Sequence, residues 1–244
     1  MSDVIMKDIE ELIRNSTKYD GAIVQKQFES KKNTVGYVIL NDKPRVLKWY
    51  VPGLKTNMEI EYTILKKGSS ELKMPTLFNK DTDNNVIVMS YIIGKNLCDI
   101  LNDEDIPFNE KNRIVCMLAE WFVKFHKHYQ TEGSFRIRGD SMLRNFILSE
   151  HVWGVDFEES RTGKPVEDIA GMCSSILSTD PMFTDEKFQL CKTFIESYKK
   201  SVKWALDNIN DEIAYALLEK IQWRPEEEET LRKYNMRIRE RGLR

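Results

Sequence analysis

The stretch RGDSMLRNFIL, residues 138–148, and the segment VWGVDFEES, residues 152–160, decide how this chain is read. Asp140 is followed by Asn145, then by an apolar run, then by a second acid at Asp156. A hard magnesium ion takes oxygen ligands, typically one or two carboxylates completed by substrate phosphates. Asn145 offers an amide oxygen and Asp156 a carboxylate, while Asp140 is spaced to sit across the loop and orient a hydroxyl nucleophile. The runs NFIL and VWGV predict paired strands whose hairpin returns Asn145 and Asp156 side by side. Taken singly, Gly139-Asp140 also fits a turn and Asp156 a strand-end acid. The joint spacing favours a magnesium–nucleotide site.

Composition sets the outer bounds. A chain of 244 residues is long enough for one large domain or two modest lobes, and 41% hydrophobic residues suffice for a core. Lys plus Arg (37) nearly balances Asp plus Glu (39), so the net charge of -2 argues neither for nor against a nucleic-acid partner. No apolar run reaches the roughly 18 residues of a membrane span. The opening MSDVIMKDIEELIRNS is acidic and amphipathic, unlike a secretory signal. Cys98, Cys116, Cys173 and Cys191 are far apart and read as thiols in a reducing, cytoplasmic setting. His126, His128 and His151 are poor metal candidates, since the first two lie two apart on a predicted helix.

The pattern changes along the chain. DVIMKDIEELIRN carries a helical stripe through Val4, Ile5, Ile9, Leu12 and Ile13. GAIVQKQFES, TVGYVILND and RVLKWYV then read as strands separated by turns, and residues 57–67 return to a helical pattern. Two more strands are predicted around PTLFNKD and NNVIVMSYI. From there the chain is mainly helical, with long helices over 109–130 and Asp185 to Ile209, interrupted by the strand–turn–strand around Asn145. A small sheet lobe and a helical lobe make a bilobal protein, and ligands favour the cleft between such lobes.

Lys48 lies inside the apolar strand RVLKWYV. A buried lysine needs a partner, and Glu61, on the inward face of the next helix, can supply it. Glu59, two residues earlier, points elsewhere. A solvent-facing lysine on an edge strand is the plainer alternative.

Lys48 on the third strand, Glu61 on the next helix, the hinge VMSYIIG, RGDSMLRN and VDFEES together resemble the protein-kinase-like fold over residues 20–180. Its members carry a strand-three Lys, a helix Glu, H-R-D or H-G-D followed five residues later by Asn, and D-F-G. The resemblance implies an α+β, bilobal fold, with a small antiparallel β N-lobe and one helix in residues 1–92 and a mainly helical C-lobe in 93–244. It implies ATP and Mg²⁺ as cofactors. Lys48 would bind the α and β phosphates and pair with Glu61. Asp140 would accept or orient the substrate hydroxyl, and Asn145 and Asp156 would hold the metal. The backbone of Ser90 and Ile92 would meet the adenine edge, with Met89 behind it. Asp168, in EDIA, would brace the catalytic loop, with Arg138 as its ion-pair partner.

The departures shape the functional expectation. No Gly-rich loop is present: the turn is ESKKNT, where Lys31 and Lys32 are the candidate phosphate contacts and only Gly36 follows. Arg138 stands where a His is usual, and Glu158 where a Gly is usual. Glu158 reads equally as an added metal-shell acid or a loop acid. Only twelve positions separate Asp156 from Asp168, too few for an activation loop. That spacing is similar to aminoglycoside and choline kinases and to compact atypical kinases of tRNA-modification complexes. The expected activity is ATP- and Mg-dependent phosphotransfer to a hydroxyl acceptor, a small molecule or a protein Ser/Thr. The alternatives are a small kinase or ATPase in a tRNA-modification-type complex, and a nucleotide-binding pseudokinase scaffold. The last thirteen residues hold six Lys/Arg against one Glu, a tail suited to RNA or protein-complex contact or to capping a helix dipole.

Overall fold

The computed structural model of the chain describes residues 8–30 and 32–244. They form two compact units. One takes in the described residues up to Gly68 with Met74–Ile93 and Asp156–Glu159, and the other takes in Ser69–Lys73, Gly94–Val155 and Ser160–Arg244.

The first unit begins with helix α1 (Ile9–Asn15), where the Asp8 carboxylate accepts from the Glu10 N–H. Of its predicted stripe, Val4 and Ile5 lie outside the described residues. Strands β1 (Ile23–Phe28), β2 (Thr34–Leu40) and β3 (Lys43–Trp49) follow, then helix α2 (Lys55–Lys66), β4 (Leu77–Asp81) and β5 (Val86–Met89). The strands form one sheet in the order β1-β2-β3-β5-β4, every pairing antiparallel. Asn41 and Asp42, both at positive φ (52° and 57°), close the β2–β3 hairpin. A two-residue turn of that hand matches the twist of the flanking strands. Pro44 sits opposite Ile39 and outside the Val46–Trp49 run that pairs with β5, so its missing N–H leaves that ladder intact.

Alternation along β3 separates core from site. Leu47 faces the side where Val38, Val86 and Val88 pack against Ile9, Leu12 and Tyr19 of the N-terminal segment. Lys48 therefore faces the other side. Met58, Glu61, Ile64 and Leu65 make up the buried stripe of α2. Gly36 lies where α1 crosses β2: a Cβ there would come within 2.7 Å of Ile9 Cγ1. The only glycine near the first turn thus serves packing.

The second unit holds β6 (Lys95–Asn96), α3 (Leu97–Asn102), α4 (Phe108–His128), β7 (Phe135–Ile137), β8 (Phe146–Leu148), β9 (Val152–Gly154) and β10 (Arg161–Gly163). Helices α5 (Pro165–Leu177), α6 (Asp185–Lys200), α7 (Ile209–Glu219) and α8 (Glu228–Arg241) complete it. Ile114, Val115, Leu118, Trp121, Phe122 and Phe125 form the buried face of α4. β6, β8 and β9 make one small antiparallel sheet, and β7 pairs with β10. The helix expected from Asp185 to Ile209 stops at Lys200, and α7 starts only after Asn208, whose φ of 54° breaks the helical path. Among the described residues no helix is long and apolar enough to cross a membrane.

Candidate active site

In the first unit, Lys48 gathers three acids. Its Nζ lies 2.7 Å from Glu61 Oε2, 2.5 Å from Asp156 Oδ1 and 3.0 Å from Glu158 Oε2. Lys48 is 5% exposed and Glu61 fully buried, so each charge depends on the other. Glu61 also accepts from the Tyr50 hydroxyl and, at 3.1 Å, from the Phe157 backbone N–H. That last bond fastens the Asp156–Glu159 segment to α2. Asp156 adopts φ 64°, a left-handed conformation that is uncommon away from glycine and clusters at functional sites.

The electrostatics follow from one cation among three carboxylates. Burial pulls the Lys48 ammonium down, but Asp156 and Glu61, with a smaller push from Glu158, hold its pKa well above the ordinary lysine value. Burial and the Asp156 charge raise the Glu158 carboxyl, against the pull of Lys48. Glu61, Asp156 and Glu158 bring carboxylate oxygens within 4.8 Å of one another, a hard oxygen set of the type a divalent cation takes.

The β1–β2 turn closes on the same segment. The buried Asn33 donates from Nδ2 to Glu158 Oε2 at 2.5 Å, and Lys32 pairs with Glu159 at 2.5 Å. Asn57 on α2 donates to the Glu158 carbonyl at 3.3 Å. Lys31 lies outside the described residues. Sequence reasoning missed Asn33 and Tyr50. Tyr50 carries a readable signal, since it lies two residues beyond Lys48 and so on the same strand face; Asn33 carries none.

At the end of β5, Met89 is buried opposite Val46 and Leu77. The Ser90 N–H donates to the Thr76 carbonyl at 2.9 Å, and the Ser90 hydroxyl accepts from the Thr76 N–H at 2.9 Å. Tyr91 stacks on Tyr37, with ring centroids 4.0 Å apart, and half-buried Ile92 follows.

In the second unit, Gly139 at φ 80° turns the chain into Asp140. Asn145 Nδ2 donates to Asp140 Oδ2 at 3.1 Å and to its carbonyl at 3.3 Å. With its NH₂ group engaged there, the Asn145 amide oxygen is the atom suited to a cation. The hairpin expected after Asn145 is present as β8 and β9, and the Val155 N–H donates to the Asn145 carbonyl at 2.9 Å.

Asp168 on α5 anchors this loop. Its Oδ2 accepts from the Arg138 N–H at 2.7 Å, and its Oδ1 from the Gly139 N–H at 3.1 Å and the Ser141 hydroxyl at 2.8 Å. His126 on α4 reaches Oδ2 at 3.0 Å through Nε2. Burial would raise the Asp168 carboxyl, yet His126, Arg138 and Ser141 together bring it below the usual carboxylate range. Arg138 thus meets Asp168 through its backbone, while its guanidinium donates to the Val155 carbonyl at 2.7 Å and lies 4.7 Å from the Phe146 ring centre. Sequence reasoning had set His126 aside. Lys220, also missed, follows α7, and its ammonium is pulled down to about 8 by burial and then by Arg224, with Asp140 among the acids acting against them.

No protein-family model matches the chain. It is 30% identical over 151 residues to the "Probable bifunctional tRNA threonylcarbamoyladenosine biosynthesis protein" of Methanocaldococcus jannaschii. The match takes in 59% of this chain but only about a quarter (25%) of that relative's length. Among solved structures, the aminoglycoside phosphotransferase APH(4)-Ia superposes with a TM-score of 0.67 at 9% identity, over 94% of this chain and 97% of that one. The streptomycin–ATP–APH(2")-IIa ternary complex superposes with a TM-score of 0.62 at 11% identity, over 91% of each chain. With both neighbours matched over nine-tenths of their length, the chain has the protein-kinase-like fold.

Proposed function

We propose that the chain is an ATP- and Mg-dependent phosphotransferase that moves the γ-phosphate to a hydroxyl acceptor. The observation that carries this reading is the buried Lys48–Glu61 pair joined to Asp156. A scaffold has no need to hold a dry ammonium among three carboxylates, whereas a phosphate-binding lysine must be held in one place. Lys48 binds the α and β phosphates, and Glu61 fixes its direction. Asn145 and Asp156 supply oxygen ligands to Mg²⁺, with Glu158 as a further acid. The metal, when bound, neutralises phosphate charge. Asp140 orients the acceptor hydroxyl and takes its proton. The Ser90 carbonyl and the Ile92 N–H meet the adenine edge, with Met89 behind. Phosphate groups entering beside Lys48 take over the ammonium from Glu158, whose raised pKa favours its release. The four cysteines are unpaired and three are buried, which supports a cytoplasmic setting.

A second reading concerns the acceptor. The 30% identity to a tRNA-modification protein favours a small kinase or ATPase working within such a complex. The α8 tail is the part suited to RNA or protein contact, although Arg232 pairs locally with Glu228 and Arg237 lies over Phe188.

The test is calorimetric titration of the full chain with ATP, with and without Mg²⁺, followed by a labelled-ATP screen over small alcohols, proteins and RNA–protein complexes. Magnesium-dependent binding and label transfer are expected. No binding at millimolar ATP would remove the reading. Phosphate release without transfer would favour the ATPase. Truncation of residues 232–244 is expected to weaken salt-sensitive RNA binding if the tail contacts RNA.

A further inference from the structure

A directed chain of hydrogen bonds reaches the Asp140 loop from the far end of α6. His126 Nε2 lies 3.0 Å from Asp168 Oδ2, His126 Nδ1 lies 2.7 Å from the Tyr198 hydroxyl, and Trp204 Nε1 lies 3.0 Å from that same hydroxyl. Chemistry fixes the direction at both ends. An indole N–H can only donate, and an ionised carboxylate can only accept. The Tyr198 oxygen therefore accepts from Trp204 and sends its own hydrogen to His126 Nδ1. The imidazole hydrogen then sits on Nε2 and goes to Asp168. A hydrogen on Nδ1 instead would leave the buried Tyr198 hydroxyl hydrogen without its acceptor, which is unfavourable in a dry site. His126, Asp168 and Tyr198 are all essentially dry, so water does not rescue that arrangement. Trp204 also holds the loop by a second route. Its ring packs at 4.8 Å on Phe135, the first residue of β7, which runs directly into Arg138.

We propose that Tyr198 and Trp204 are positioning residues. They set His126 as the Nε2–H tautomer, which aims Asp168 at the Arg138 and Gly139 amides and so places Asp140. Only the turnover arm of the test rests on the phosphotransferase reading.

The test uses the full chain labelled with ¹⁵N-histidine. The chain has three histidines, and His126 is identified as the one whose imidazole proton is protected from exchange. A pattern with the hydrogen on Nε2 and Nδ1 as acceptor is expected. In Tyr198→Phe, Nδ1 loses its donor and its ¹⁵N signal moves to higher frequency. In the same variant kcat falls about tenfold or more with nucleotide affinity unchanged. Trp204→Phe keeps an aromatic ring, loses the N–H and shifts Nδ1 less, in the same direction. An Nδ1–H tautomer or an imidazolium in the parent protein overturns the proposal, as does a Tyr198→Phe variant whose His126 signals stay in place. If the parent protein shows no turnover, the phosphotransferase reading fails, while the imidazole signals still decide the relay.

Discussion

The Lys48 ammonium on β3 lies 2.7 Å from the Glu61 carboxylate on α2, and neither residue is more than 5% exposed. Removing one member leaves the other charged in a dry site. Lys48→Ala is therefore expected to cost about 3–5 kcal/mol of stability, a fall in Tm on the order of 10 °C. Glu61→Gln is expected to cost less, because its amide oxygen still accepts from Phe157. Thermal melts of the two variants check the order, and equal melting points would contradict it.

Glu158 behaves in the opposite sense. Its folded pKa is raised, chiefly by burial and by Asp156. The folded protein thus holds a proton that the unfolded chain has lost, from the ordinary glutamate pKa up to the raised value. Across that window stability falls as pH rises. Glu158→Gln is expected to melt higher than the parent protein at neutral pH without magnesium or nucleotide, and to flatten this dependence. A lower Tm for the variant would count against it.

Asp81 gives the reverse sign again. Although burial works to raise it, bonds from Asn84, Lys18 and Tyr19 hold its carboxyl at about 2. Its contribution is present above the unfolded pKa of about 4 and is lost as pH falls towards 2. Asp81→Ala leaves the buried Tyr19 hydroxyl without its acceptor and is expected to cost about 1–3 kcal/mol. Urea denaturation at pH 7 and at pH 3 should show the gap between variant and parent narrowing at the lower pH.

Gly36 separates packing from phosphate binding. Gly36→Ala is expected to destabilise by about 1–3 kcal/mol through collision with Ile9, with ATP affinity unchanged. Ile9→Ala placed in the same chain should recover part of the loss. Weakened nucleotide binding in Gly36→Ala at full stability would instead make the β1–β2 turn a phosphate loop.

Catalytic roles divide by readout. Asp156→Ala is expected to abolish metal-dependent turnover. Asp140→Ala is expected to slow transfer about 10²–10⁴-fold while nucleotide binding persists. Loss of binding in Asp140→Ala would contradict its assignment to the acceptor hydroxyl.

The sheet unit was legible because its signals are local. The strands are short β-branched or aromatic runs, Asn41-Asp42 marks a tight turn, and the inward stripe of α2 singles out Glu61 over Glu59. The β8–β9 hairpin was equally readable from two apolar runs flanking a polar turn. What stayed hidden depends on contacts between residues far apart in sequence. Asn33 meets Glu158 across 125 positions, and His126 meets Asp168 across 42. Neither residue sits in a pattern that marks it, and two histidines two apart on one helix point in different directions. The β7 and β10 strands, three residues each, are too short to show a period. The end of α6 at Lys200, short of Ile209, is a boundary that no apolar stripe reports.

The Phe157 N–H on Glu61 has a bearing on biosynthesis. The strand holding Lys48 and the helix holding Glu61 leave the ribosome about a hundred residues ahead of the segment that completes their charge balance. Until residues 156–159 emerge, the nascent sheet has an ammonium–carboxylate pair without the amide of Phe157 and the carboxylates of Asp156 and Glu158 that later join it. The N-terminal portion is thus expected to stay loosely closed and chaperone-accessible during translation. It locks only once α3 and α4 have been made, with α5–α8 still to follow residues 156–159.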